Sequence, residues 1–131
     1  MNTEAMHEAL QGSINGKLTF PEVVGILVKA GVESCFADLV RGTETFYLGG
    51  GDTHVETMAL PSMGVSEDFS HSGIVGAIRA AQADQIRYPE FLKRATAAGI
   101  VAYWALLTGK KVIYFGRKGD FHVEEFPRPT S

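Results

Sequence analysis

Residues 100–107 (Ile-Val-Ala-Tyr-Trp-Ala-Leu-Leu) are apolar on both alternating faces. Successive side chains of a strand point to opposite sides, so this pattern predicts a β-strand covered on two sides. Residues 32–40 show a milder version, with Ser34 and Asp38 on one face and Glu33, Cys35, Ala37 and Leu39 on the other. Two further short strands follow each of these, at 43–48 and 53–58 and at 111–115 and 121–126. Arg41-Gly42, Gly49-Gly50-Gly51-Asp52, Thr108-Gly109-Lys110 and the segment 116–120 separate them and have the composition of hairpin turns.

A helix is predicted ahead of each set of strands. It opens at Phe20-Pro21-Glu22 and again at Tyr88-Pro89-Glu90. Proline is tolerated in the first helical turn, and a carboxylate there meets the positive end of the helix dipole. Ala30-Gly31-Val32 and Ala98-Gly99-Ile100 close these helices, as left-handed glycine caps leading into a β-branched residue. Earlier helical stretches lie at 3–11 and 72–85.

These elements repeat with an offset of 68 residues. Laid without gaps, 20–58 and 88–126 share 11 identities in 39 positions, including Gly51-Asp52 with Gly119-Asp120 and His54-Val55-Glu56 with His122-Val123-Glu124. Unrelated segments of this composition share about 2 or 3, so the pattern predicts a tandem duplication. The expected fold is α+β and two-layered, a duplicated helix-helix-strand-strand-strand unit with antiparallel three-stranded meanders. A single domain of 131 residues then comprises repeat one at 2–58, a linker at 59–69 rich in Pro, Ser, Gly and acidic residues, and repeat two at 70–126.

Composition narrows the function classes. With 45% hydrophobic residues and 21% charged, the chain suits a folded domain. The net charge of −3 argues against nucleic acid as a partner. Lys110, Lys111, Arg117 and Lys118 fall in hairpin turns, where charge is usually solvated. One cysteine excludes an internal disulfide, and the first 13 residues lack the pattern of a signal peptide. No apolar run approaches the roughly 20 residues of a membrane-spanning helix. A cytoplasmic location without membrane attachment is the expectation.

The sharpest chemical hint is the duplicated His-x-Glu. Its histidine and glutamate share a strand face, so His54, Glu56, His122 and Glu124 would form a divalent-metal site if a pseudo-dyad brought the two strands together. The structural alternative is a solvent-facing row, with Val55 and Val123 turned to the core. Trp104, Tyr103 and Tyr114 are candidate ligand contacts. Cys35 pairs with Tyr103 in the repeat, as suits a packed strand position. The Gly49-Gly50-Gly51 run precedes a strand and lacks the helix N-terminus that a phosphate loop needs. Glu22 and Glu90 already have a role at helix starts.

Tyr88-Pro89-Glu90-Phe91, Ala98-Gly99-Ile100, Tyr114-Phe115-Gly116, Gly119-Asp120, His122-Val123-Glu124 and Phe126-Pro127, together with residues 77–82, resemble the YbcV/YdfO-like family of small bacterial and prophage-associated proteins. Members often carry the label "phage envelope protein". The resemblance spans nearly the whole chain, is densest over 86–127 and implies a two-layer α+β fold and a bacterial or phage origin. It transfers no catalytic residue.

No set of nucleophile, base and orienting group emerges, and no cofactor is implied. The first expectation is therefore a non-enzymatic cytoplasmic binding or assembly module that self-associates through the apolar face of repeat two. The alternative is a small-molecule or divalent-metal sensor that binds between the repeats.

Overall fold

The computed structural model describes residues 1–59 and 63–127, so residues 60–62 of the expected linker lie outside the described residues. Helices α1 (Thr3–Ile14) and α2 (Phe20–Lys29) precede strands β1 (Val32–Asp38), β2 (Thr43–Leu48) and β3 (Thr53–Thr57). The order recurs as α3 (His71–Gln82), α4 (Tyr88–Ala97), β4 (Ile100–Leu106), β5 (Lys111–Gly116) and β6 (Phe121–Glu125).

Local chemistry sets the helix ends. Asn2 and Ser70 cap α1 and α3 by accepting from the amides of Ala5 and Gly73. At α2 the Thr19 hydroxyl accepts from the Glu22 amide while the Glu22 carboxylate accepts from the Thr19 amide, a reciprocal capping box that satisfies two otherwise orphaned donors. The carboxylate accepts from both the amide and the hydroxyl of Thr19, and these two bonds hold the Glu22 carboxyl below its ordinary pKa. The corresponding start of α4 follows Arg87, which makes no side-chain cap. Gly31 and Gly99 both exit their helices at φ +87°, the left-handed conformation that their position predicts.

All six strands form one antiparallel sheet in the order β3-β2-β1-β4-β5-β6. The seam joins β1 to β4, with Phe36 opposite Trp104, Cys35 opposite Ala105 and Ala37 opposite Tyr103. The four helices cover one face only. Cys35, Ala37, Phe46, Tyr103, Ala105, Val112 and Tyr114 are buried beneath them, in one core with Met6, Leu10, Leu27, Ile74, Ile78 and Leu92. The start of each second helix reaches the far end of the opposite half: Phe20 packs edge-on against Phe126, and the Tyr88 hydroxyl meets the Met58 sulfur. The hairpin between β5 and β6 is tied to the segment before α3, where Arg117 donates to the Val65 carbonyl and Lys118 lies near Glu67 and Asp68. This employs part of the basic cluster structurally.

The sheet topology bears on two of the strand patterns. Edge-to-edge joining means that neither half's strands can cover the open face of the other, so the second apolar face of β4 is not explained by packing between the halves. Val55 and Val123 do not face the core. They are 57% and 42% exposed on the open face, while the flanking His and Glu turn toward the helices. The strand register requires this, because His54 and His122 lie opposite the inward-facing Phe46 and Tyr114.

The two cap glycines provide a matched test. A Cβ at Gly31 would meet open space, whereas at Gly99 it would lie 2.4 Å from the Asp68 carbonyl oxygen. Gly31→Ala is expected to cost about 1–2 kcal/mol from left-handed strain alone. Gly99→Ala should cost clearly more, because backbone must also move. Urea unfolding of the two variants checks this, and equal losses would refute the steric part.

Candidate functional site

A cavity of about 450 Å³ lies between the helix layer and the sheet at the junction of the two halves. Its walls come from α1 (Ala9, Leu10, Ser13), α2 (Val23, Val24, Leu27), the α3–α4 region (Ile78, Ile86, Tyr88, Phe91) and the inner face of the sheet. The lining is mostly apolar and aromatic, and the volume falls within the range of small-molecule sites. Space exists because the halves pack differently. Helix α4 buries Phe91, Leu92, Ala95 and Thr96, but α2 buries only Leu27 and leaves Val23 and Val24 half-exposed on the cavity.

Among the acidic groups on the sheet side, Glu44 is the most deeply buried. Glu44 is 7% exposed, and no cation is among the groups that shift its acidity. Removal from water raises its pKa to about 7, opposed only in part by the neighbouring Cys35 thiol. Ser13 and Thr96, by contrast, are buried polar side chains that donate to carbonyls of their own helices. Beside Glu44 the hydroxyls of Tyr88 and Tyr103 lie 2.6 Å apart. Burial, and then the negative charge of Glu44, push the Tyr88 phenol far up; burial and then the neighbouring Tyr88 do the same for Tyr103. Tyr114, also raised by burial, completes the aromatic wall.

The Cys35 thiol is likewise driven up by burial and by the carboxyl next to it. It stays protonated at neutral pH and is a poor nucleophile. The cluster can therefore hold a proton or a bound cation at Glu44, and can offer two phenols and a thiol as hydrogen-bonding groups.

The sequence-predicted residues are divided by the fold. Tyr103 and Tyr114 line the cavity. Trp104 does not; it lies on the opposite sheet face, stacked on Tyr47 and edge-on to Phe36, and its indole Nε1 makes no hydrogen bond. The metal expectation fails on strand order. Strands β3 and β6 are the two edges of the sheet, five interstrand spacings or about 24 Å apart, so His54 and Glu56 never meet His122 and Glu124. Among the described residues no group of three or more His, Cys, Asp or Glu is placed to hold a metal ion.

Each triplet instead fastens an edge strand to the helix above it. Glu56 accepts from His7 of α1 at 2.8 Å and is bonded to His54. Glu124 pairs with Arg79 of α3 at 2.7 Å and with His122, whose other nitrogen meets His71 at 3.1 Å. The His7 bond is the main cause of the lowered Glu56 pKa. At Glu124 burial pushes upward, but the bonds to Arg79 and His122 together outweigh it and hold the carboxyl low.

Sequence reasoning missed Glu44 and Tyr88. Glu44 had a readable signal, since it shares a strand face with Phe46 and Leu48, so an inward Phe brings the carboxyl inward too. Tyr88 gave no such signal, because its contact with Tyr103 depends on how α4 sits on the sheet. No family model and no curated protein matches the chain. Among the described residues no helix is long and apolar enough to cross a membrane.

Because the folded state holds the Glu44 proton more tightly than the unfolded chain does, stability should fall as pH rises from about 4.5 past about 7. The full loss from this group is about 3 kcal/mol. Glu56 and Glu124 act in the opposite sense, their contribution disappearing as pH falls below the ordinary carboxylate range. Glu44→Gln should remove the decline on the alkaline side and leave the acid side unchanged. Urea unfolding of both proteins between pH 5 and 8 tests this; a parent profile that is flat or rising there, and parallel to that of the variant, would be incompatible with it.

Proposed function

We propose that this chain is a small-molecule binding module whose site is the cavity between its helix layer and sheet. The supporting observation is a roomy apolar chamber with a single buried, uncompensated carboxyl. Natural cores avoid both features, because voids and unpaired buried charge each lower stability. Their coincidence in one place favours an occupant. Of the two functions read from the sequence, the geometry thus favours the ligand sensor over the pure assembly module, with Tyr103 and Tyr114 retained as contacts and the metal component dropped.

The reading rests on the chamber, so filling it is the test. The neutral fluorescent dye N-phenyl-1-naphthylamine should bind the parent protein with a rise in emission. Val112→Phe, which puts a larger side chain into the cavity wall, should weaken dye binding by at least about tenfold while leaving the far-UV circular dichroism unchanged. Absence of dye binding to the parent, or unchanged binding by the variant, would overturn the reading.

Self-association is the second proposal, with a second copy of this chain as the covering partner. The open sheet face carries Phe36, Tyr47, Trp104, Ile113 and Phe115 as a continuous apolar area, extended by the exposed Val55, Phe121 and Val123. Contiguous apolar area of this kind commonly marks an interface, and a two-fold contact would bury it on both copies. Sedimentation velocity should find dimers at micromolar concentration and monomers for the Val55→Lys, Val123→Lys double variant. A monodisperse parent monomer at high micromolar concentration would dispose of the idea.

We further propose that the chain arose by internal duplication of a helix-helix-strand-strand-strand unit, each with its strands as an antiparallel meander. The seam supports this, since Phe36 faces its own repeat mate Trp104, and the Phe20–Phe126 contact has its mate in Tyr88–Met58. Membership of the YbcV/YdfO-like family is proposed on the motifs quoted above.

A further inference from the structure

The ionisable groups around the cavity are lopsided. Among the described residues, Glu44, Asp84, Glu124 and Glu125 line it, against Arg87 as the one guanidinium or ammonium. Arg87 is engaged with Asp84 at 2.9 Å, and Glu124 with Arg79, so both lie in pairs near the rim. Glu44 remains as the buried acid, with the Tyr88 and Tyr103 phenols and the Cys35 thiol as its polar company and no basic side chain among the groups acting on it. A carboxylate or phosphate ligand would meet like charge at Glu44, with no cation among the described groups that act on it.

Aromatic faces add to this preference. Tyr88, Phe91, Tyr103 and Tyr114 form a run of neighbouring rings with centroids 5.7 to 6.5 Å apart between Tyr88 and Phe91, Phe91 and Tyr114, and Tyr103 and Tyr114. The negative faces of such rings attract a desolvated cation. An ammonium group also brings the donors that a carboxylate and two phenol oxygens can accept, whereas a neutral apolar ligand would leave that carboxyl unpaired.

Resting on the reading of the cavity as a ligand site, we infer that the occupant is an apolar, aromatic-sized molecule bearing one protonated amine, with its ammonium on Glu44 and its body among the rings. The apolar walls supply affinity for the body. Selection of the amine over other head groups comes from Glu44, because burying a cation without an opposite charge is strongly unfavourable.

Three probes with the same indole body separate the two levels of the argument: tryptamine, tryptophol and indole-3-propionate. Calorimetric titration of the parent at pH 8 should find tryptamine at least about tenfold tighter than the alcohol, and the carboxylate weakest. Glu44→Gln should erase the preference while alcohol binding persists. A check independent of any variant is the pH dependence in the parent. Tryptamine stays protonated from pH 6 to 8, so its affinity should rise several-fold across that range as Glu44 ionises, while tryptophol affinity stays level. Equal binding of amine and alcohol, or a preference for the carboxylate, would overturn the inference and leave the cavity reading intact. Failure of all three to bind the parent at millimolar concentration, together with failure of N-phenyl-1-naphthylamine, would overturn both.

Discussion

The antiparallel pairing of β1 with β4 is the contact on which the rest of this molecule depends. By joining two three-stranded sets edge to edge, it makes one sheet with two faces that have different fates. Four helices suffice to cover one face, and the start of each second helix crosses the seam to touch the opposite half. The chamber lies at this crossing. The same pairing sends β3 and β6 to opposite edges, which separates the duplicated His-x-Glu triplets and leaves each to fasten its own edge. A sandwich of two separate sheets would have reversed both outcomes.

Near-symmetry supplies the frame, and departures from it supply the chemistry. Positions related by the 68-residue offset pair Glu44 with Val112, Cys35 with Tyr103 and Phe46 with Tyr114. All six side chains point inward, so the two halves offer equivalent places and fill them differently. Repeat two presents two phenols and a valine. Repeat one presents the carboxyl and the thiol. The helices differ in the same sense, with four residues of α4 buried and Leu27 alone buried on α2. Neither half alone would enclose the polar cluster, because Tyr88 and Tyr103 come from one and Glu44 from the other.

Much of the secondary structure was legible because its signals are local. Pro-Glu starts, glycine exits and turn-rich breaks act within a few residues, and the repeat let each boundary be read twice. Helix α1 runs on to Ile14 beyond the predicted Gln11, and the seam strands stop at Asp38 and Leu106, small shifts at ends where local preference is weak. The facing of β3 and β6 was misread. His-Val-Glu alternates apolar and polar residues, and burial of the valine is the ordinary assumption, but an edge strand near charged helix residues can turn its polar row inward and satisfy it there. Which strands met across the molecule was not legible, since a single sequence records no pairing. Glu44 lies on the inward face that Phe46 marks, so its burial follows from strand alternation, whereas its isolation from cations depends on the tertiary packing.

The energetic position of Glu44 makes its presence informative. Keeping a carboxyl ionised in that setting costs about 3 kcal/mol above pH 7, an appreciable part of the roughly 5–15 kcal/mol by which domains are stable. The mate position holds valine, and a valine at 44 would complete the apolar wall and lift that cost. Nor does the carboxyl act as a clasp, as Glu56 and Glu124 do, because no basic side chain among the described residues acts on it. Local rules broken without a structural return tend to gather where a protein meets something else. In this fold the broken rules are an unpaired acid, an unfilled chamber and a helix with little of itself buried, and they fall on one another at the seam. A ligand that carries a positive charge into that space would satisfy the acid, fill the void and give α2 a surface to pack against.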